Sequence, residues 1–467
     1  MGTGFVKGLG ANSLRSTIGN MDANEQTAEE LFTTTDWNAQ LASADMHVRR
    51  AAIVALQHFG ARATPFAESL IARLDDSERS IREQAAGALV EIGGVASSAA
   101  GHLLHALADE SPRVRVAVAR LLWKVSGKPV LILSTFIDCL TNEESFVRWN
   151  AAVGLADREA AAAPATDALA HALHDRDDGV QMHAARALGN VRAAPERIVP
   201  ALLSLLREHS ARRVQAHSDR LNLVVHAAIH NFGAVAVPYL VKALSEPGDK
   251  FRLRVLSVLG HLGPQSLPAI PVLSKLLQNE NVALRRRSAF VLGQIGPTAA
   301  GAAPLLQSAL RDADTGVRVA SVQALWKLGA WSKDAFQVLL KALIETDTPA
   351  AVRVVAIQTL GQIGPDAAEA EPALRRMLAH SATSESDRVF SALALWHIRG
   401  DMSNFQSCVD SAVAEGDAQR QMQVLRLLPS LGPEAARFLD VVERLASAAD
   451  PAVRATAEAV AKRIRGG

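Results

Sequence analysis

The chain has 467 residues, with 49 Lys plus Arg against 48 Asp plus Glu, so it carries no global field that would concentrate nucleic acid or an acidic membrane. Aromatic residues make up only 4%, with a single tyrosine, while alanine and leucine dominate, a composition that suits close packing of helices through small side chains. No stretch approaches 18 uninterrupted apolar residues, which excludes a spanning helix of ordinary length.

Residues 1 to about 26 are rich in Gly, Ser and Asn and read as a flexible leader. They lack the apolar core of a secretory signal, Val6 stands where a myristoylation motif wants Ser or Thr, and Met21 is an alternative start. From residue 27 to 467 the chain is repetitive. Arg49, Arg82, Arg115 and Arg148 are each 33 residues apart, and the same position recurs at Arg252, Arg285, Arg318, Arg353, Arg388 and Arg454. A period in this range indicates a solenoid in which each unit touches only its neighbours.

With the arginine position taken as zero, an apolar residue precedes it and small or apolar residues follow at plus 3, 6, 7 and 10. At 100° per residue these share one helical face, the core face. Glycine closes the helix at plus 11, as at Gly60, Gly93, Gly233, Gly263, Gly296, Gly329, Gly364 and Gly432, often with proline directly after, the expected stop. A second amphipathic segment lies beyond, such as Pro304 to Leu310 or Pro372 to Leu378, so each unit holds two antiparallel helices. Six residues before the arginine stands a polar residue: Asp76, Asp109, Asn142, Asp175, Glu246, Asn279, Asp312, Asp347 and Glu415. Its side chain is placed to cap the arginine-bearing helix or to reach the arginine of an adjacent unit.

The ladder breaks once. Gln181 and Asn222 replace successive arginines, Ala216 replaces the acid, and the stretch Arg207 to Arg220 gathers Arg207, His209, Arg212, Arg213, His217 and Arg220. This stretch reads as a solvated loop or extended helix, or as a contact element for an acidic partner, and the break as the mechanical weak point. Asp387 marks a second irregularity, standing where an apolar residue belongs. The final helix, 450 to 465, is expected to lack a partner and to end as a polar cap in Lys462, Arg463 and Arg465.

The turn acid, the Val-Arg pair, the alternating alanines, the Leu-Gly stop and the proline of the first helix resemble the HEAT-repeat family, most closely its short bacterial phycobilisome-lyase-like units. The resemblance covers roughly residues 30 to 465. It implies an all-α, right-handed superhelical solenoid of about 12 helix pairs, a structural acid and arginine ladder, and a concave surface lined by the second helix of each unit.

Chemistry is sparse. No phosphate loop, H-E-x-x-H, G-x-S-x-G or paired C-x-x-C occurs, and His226 and His230 lack a supporting carboxylate. Deoxyhypusine hydroxylase has this kind of architecture but holds iron through His-Glu pairs, which are absent here. HEAT-like glycosylases use a basic groove, and the one basic spot here is Arg285, Arg286 and Arg287 with Arg252 and Arg254. No catalytic, cofactor or metal site is therefore expected.

The face of the second helix opposite the core holds plus 1, 5 and 8. It presents Trp123 and Trp396 and Trp326 at plus 8, Trp149 at plus 1, and Arg120, Arg186, Phe290, Gln323 and Gln358 at plus 5, flanked by Lys124, Asn150, Lys327 and His397. Tryptophan and arginine with a polar rim suit a protein or peptide groove. The expected function is a non-enzymatic scaffold or adaptor that binds a protein segment. A partner-dependent enzyme subunit of the lyase type and a nucleic-acid-binding solenoid are the alternatives. Cys139 and Cys408 lie too far apart along an array for a disulfide, which fits a cytoplasmic protein.

Overall fold

The computed structural model describes residues 31–93, 99–125, 129–211, 216–380, 383–414 and 417–466, and every regular element among them is helical. The leader, residues 1–26, lies outside the described residues, as do Glu415 and residues 212–215. The chain divides into two compact units, Met1–Tyr239 and Leu240–Gly467.

In the first unit, helices pair in chain order. They are α1 (Trp37–Leu41) with α2 (Met46–Phe59), α3 (Ala67–Ile71) with α4 (Arg79–Ile92), and α5 (Ala100–Ala106) with α6 (Pro112–Val125). Next come α7 (Pro129–Cys139) with α8 (Ser145–Ala156), α9 (Thr166–Ala172) with α10 (Asp178–Val191), and α11 (Pro195–Ala211) with α12 (Ala216–Asn231). The boundary between units falls inside α13 (Val237–Ala243). The second unit continues with α14 (Asp249–Leu262), then α15 (Ile270–Leu276) with α16 (Val282–Ile295), and α17 (Ala303–Ala309) with α18 (Thr315–Lys327). It ends with α19 (Lys333–Ile344) and α20 (Ala350–Ile363), α21 (Glu371–Ala379) and α22 (Glu385–Arg399), α23 (Ser403–Ala414) and α24 (Ala418–Leu427), and α25 (Leu439–Leu445) with α26 (Pro451–Gly466). Even-numbered helices carry the arginine position. The last of them, α26, packs on both α24 and α25, so it has the partner that the sequence does not suggest.

The core face is the expected one. In α16, Ser288, Val291, Leu292 and Ile295 are buried, and so are Ser321, Ala324 and Leu325 in α18 with Leu328 at its C-cap. All eight plus-11 glycines named above have positive φ, a conformation that side-chain-bearing residues rarely adopt. Several first helices are entered through a 3-10 turn, as at Gly263–Ala269 and Pro297–Ala302, where a proline has no amide hydrogen to lose.

The ladder is real and more specific than the spacing suggests. Arg285 donates from Nε and Nη2 to the Asp312 carboxylate at 2.8 and 2.9 Å, and from Nη1 to the carbonyls of Asn279 and Glu280. The guanidinium thus joins its own turn to the next unit. Arg49 with Asp76, Arg82 with Asp109 and Arg148 with Asp175 repeat the arrangement. The acid also folds its own turn, its carboxylate accepting the amide two residues on, as Asp312 does from Asp314. Capping of the arginine-bearing helix falls to a different residue, four before the arginine: Asp45, Asp177, Asn281, Asp314, Ser384 and Asp417.

Both irregularities have a physical explanation. Gln181 keeps half the arginine's role, donating to the Asp175 carbonyl, while its Oε1 faces His209 Nε2 at 3.0 Å. His209 is buried, so it is a substitute rung and not a solvent-facing contact. Asp387 is buried and takes the Arg353 guanidinium at 3.1 Å, supplying from the start of α22 the carboxylate that the preceding turn lacks.

Candidate functional site

Spacing between second helices is set at plus 8. A Cβ added to Gly293 would stand 2.9 Å from Ala324 Cα, and one on Gly189 2.5 Å from Ala228 Cα. Glycine at this position lets the next second helix approach to backbone contact. Tryptophan takes the same position in α6, α18 and α22, and α6 with α8, α18 with α20 and α22 with α24 are packed much less closely than α10 with α12 or α16 with α18.

The same position bears on three tryptophans. Trp123, Trp326 and Trp396 are half-buried at the plus-8 position, so each keeps part of its surface accessible to solvent. The Arg158 guanidinium covers the Trp123 ring at 4.9 Å, and Trp396 packs on the C-terminal core of its unit beside the exposed His397. Trp149 alone among the four is exposed, at 36%, with its indole edge on His183 and its pyrrole side above Gly179. Asn150 is buried, accepting from Arg120 at 2.7 Å and donating to the Phe146 carbonyl. It ties α6 to α8 and forms no rim. Arg186 is exposed and pairs with Asp157 at 3.3 Å. The side chain of Lys124 lies outside the described residues.

In the second unit the same face closes into a groove. A cavity of about 710 Å³ runs over α14, α16, α18 and α20, with Phe290 on its floor and Gln323 and Gln358 along the α18 and α20 half. Arg254, Arg286 and Arg287 line the other half. The basic spot seen in the sequence is therefore divided: Arg285 and Arg252 serve the ladder and its turn, while their neighbours face the groove. Arg287 lies over the Phe290 ring at 5.0 Å and donates to the Ser257 hydroxyl, and the Lys327 ammonium approaches the same ring at 5.9 Å. Burial pushes the Lys327 ammonium below its ordinary value, and burial followed by the charge of Arg286 does the same to Arg287.

The sequence picks out Phe290, Lys327, Gln323 and Gln358 separately but misses their assembly with Arg254 and Arg287. Those two stand at plus 2, outside the positions opposite the core, and basic residues at plus 1 and plus 2 of successive units were the available signal. Not all of the presumed outer face is open: Val319, Val389 and Leu393 are buried between neighbouring helices. Among the described residues no three His, Cys, Asp or Glu side chains are grouped to hold a metal, and no single helix is long and apolar enough to cross a membrane.

The family model for HEAT repeats matches residues 35–122, 133–218, 237–326 and 302–394. It does not single out the phycobilisome-lyase-like kind. No curated protein sequence matches the chain. Among solved structures, importin beta from an ammonium sulfate condition is similar at a TM-score of 0.57 and 14% identity, covering 98% of this chain and 70% of that one. Yeast importin-beta, Kap95p, gives 0.53 and 12% over 99% and 72%. The Kap95:Nup1 complex gives 0.56 and 11% over 97% and 71%. At these identities the likeness concerns the fold alone. Taken with the helix pairs and their ladder, the match over most of its length makes this chain a member of the HEAT-repeat family, an all-α solenoid.

Proposed function

We propose that the chain is a non-enzymatic scaffold that binds a protein segment along the second helices of its second unit. The groove over α14–α20 carries this reading, because it combines an apolar floor, a half-exposed aromatic ring and side-chain amides that can pair with a polypeptide backbone. A similar fold is seen in complex with a protein in the Kap95:Nup1 structure, which supports protein partners as a class. Two free cysteines, whose thiols burial pushes up to about 11, suit a cytoplasmic protein, and fractionation of host cells tests that placement.

Photo-crosslinking tests the binding reading. A benzophenone side chain installed at Phe290 is expected to capture a defined segment of another protein in host cells, mapped by mass spectrometry. The same probe at Gln307, exposed on first helix α17, is the control. Identical products from both positions, or none from Phe290, would overturn the proposal.

A further inference from the structure

The groove holds positive charge that the fold does not use. Arg286 is exposed, lies across Gly316 and has no ion pair or hydrogen bond with any described residue. Lys327 is half-buried against Phe290 without a carboxylate, and Arg287 finds only a neutral hydroxyl and the ring. No aspartate or glutamate lines the cavity. Partly desolvated cations without an anion are costly to hold, and the downward shifts of Arg287 and Lys327 register that cost. Elsewhere in this chain arginines that meet a second element usually find a carboxylate, as Arg148 and Arg285 do. Arg120 and Arg158 are exceptions in the first unit, whereas this groove gathers such cations in one cavity.

We infer that the groove takes an extended acidic segment of a partner protein, with carboxylates against Arg286 and Arg287 and an apolar side chain over Phe290. This rests on the segment-binding reading above and adds the chemistry of the segment. Four second helices at about 9 Å centre to centre span about 27 Å, the length of about eight extended residues. The charged half can hold carboxylates by guanidinium forks, and the neutral half, with Gln323 and Gln358, can pair with backbone amides. Single-stranded nucleic acid needs cations along the whole track and several stacking rings. Here, among the described residues, the only cation offered by the α18–α20 half is Lys327, which is held against Phe290, and that one ring is already approached by Arg287 as well.

The test is selection of a random twelve-residue peptide display library on the full chain, with Arg286→Glu and Phe290→Ala variants as counter-selections and circular dichroism confirming their helical content. Exposed Arg286 makes no ion pair or hydrogen bond with any described residue, so with helical content unchanged its reversal reports on binding. The expected result is enrichment of peptides with clustered Asp or Glu beside an apolar residue. Their affinity should fall about tenfold or more in Arg286→Glu, the loss of a charge-assisted hydrogen bond. Enriched peptides that lack acidic residues and depend on Phe290 but not on Arg286 would overturn the acidic assignment and leave segment binding standing. No Phe290-dependent peptide would remove both. A twelve-nucleotide oligothymidine that binds more tightly than the best peptide, and depends on Arg286, would replace the acidic segment by nucleic acid.

Discussion

Arg285 reaches Asp312 through two nitrogens at 2.8 and 2.9 Å, whereas Arg318 meets Glu345 only at 3.5 Å. The rungs are therefore unequal. Arg285→Ala strips a hydrogen-bonded carboxylate that is mostly buried, and is expected to cost about 1–3 kcal/mol, more than Arg318→Ala. Both should be read from denaturant melts, and an order reversed from this would show that rung geometry does not govern the ladder. The same pair makes stability depend on pH. Burial alone would raise Asp312 and Asp175, but hydrogen bonds from Arg285 and Arg148 and from the amides of Asp314 and Asp177 outweigh it and hold both below 3.8. Groups depressed in the folded state contribute stability that is present above 3.8 and lost as pH falls through their folded values. Thermal melts should thus drop on acidification through this range, and Asp312→Asn should melt lower at neutral pH with a flatter acid limb. A variant limb as steep as the parent's would exclude Asp312 from the acid transition.

Among the helices, the plus-8 residue decides how near neighbours come. Leucine at Gly293 would drive side-chain atoms into the backbone of Ala324, an overpacking expected to cost about 1–3 kcal/mol or more. Trp326, by contrast, stands half-buried at this position of α18, which packs less closely on α20. Trp326→Ala should lower stability by about 1–3 kcal/mol, as loss of a large half-buried ring does, while leaving peptide affinity within about twofold. That outcome reverses what the sequence suggests, which treats Trp326 as a binding anchor. A large affinity loss at unchanged melting temperature would restore the anchor role.

For the molecule as a whole, a repeat array distributes a local defect only to its nearest neighbours. Gly189→Ala pushes a methyl group to 2.5 Å from Ala228 Cα, so hydrogen exchange should accelerate in α8, α10 and α12 and stay unchanged in α16 to α22. Acceleration throughout would mean that the chain unfolds as one cooperative block. The same experiment on the parent tests the supposed weak point between Gln181 and Asn222. With Gln181 paired to His209 and α10 set closely against α12, protection there should match that of α4 and α6.

The arginine period, the core positions and the glycine stops were all legible in the sequence, because each depends on contacts within one unit or between identical neighbours. Those interactions repeat every turn of the array and so leave a periodic trace. The exchanges His209 for the acid and Asp387 for the turn carboxylate left no such trace, since each is a single compensation made across helices that the spacing misaligns. Whether Trp123, Trp326 and Trp396 face solvent or a neighbouring helix was likewise undecidable from helical angles, which place a side chain on a face but not at a distance from the next helix. The groove is tertiary in the same sense. Phe290 and Arg287 belong to one helix and Lys327 to the next, and only the spacing of those helices brings both cations to one ring.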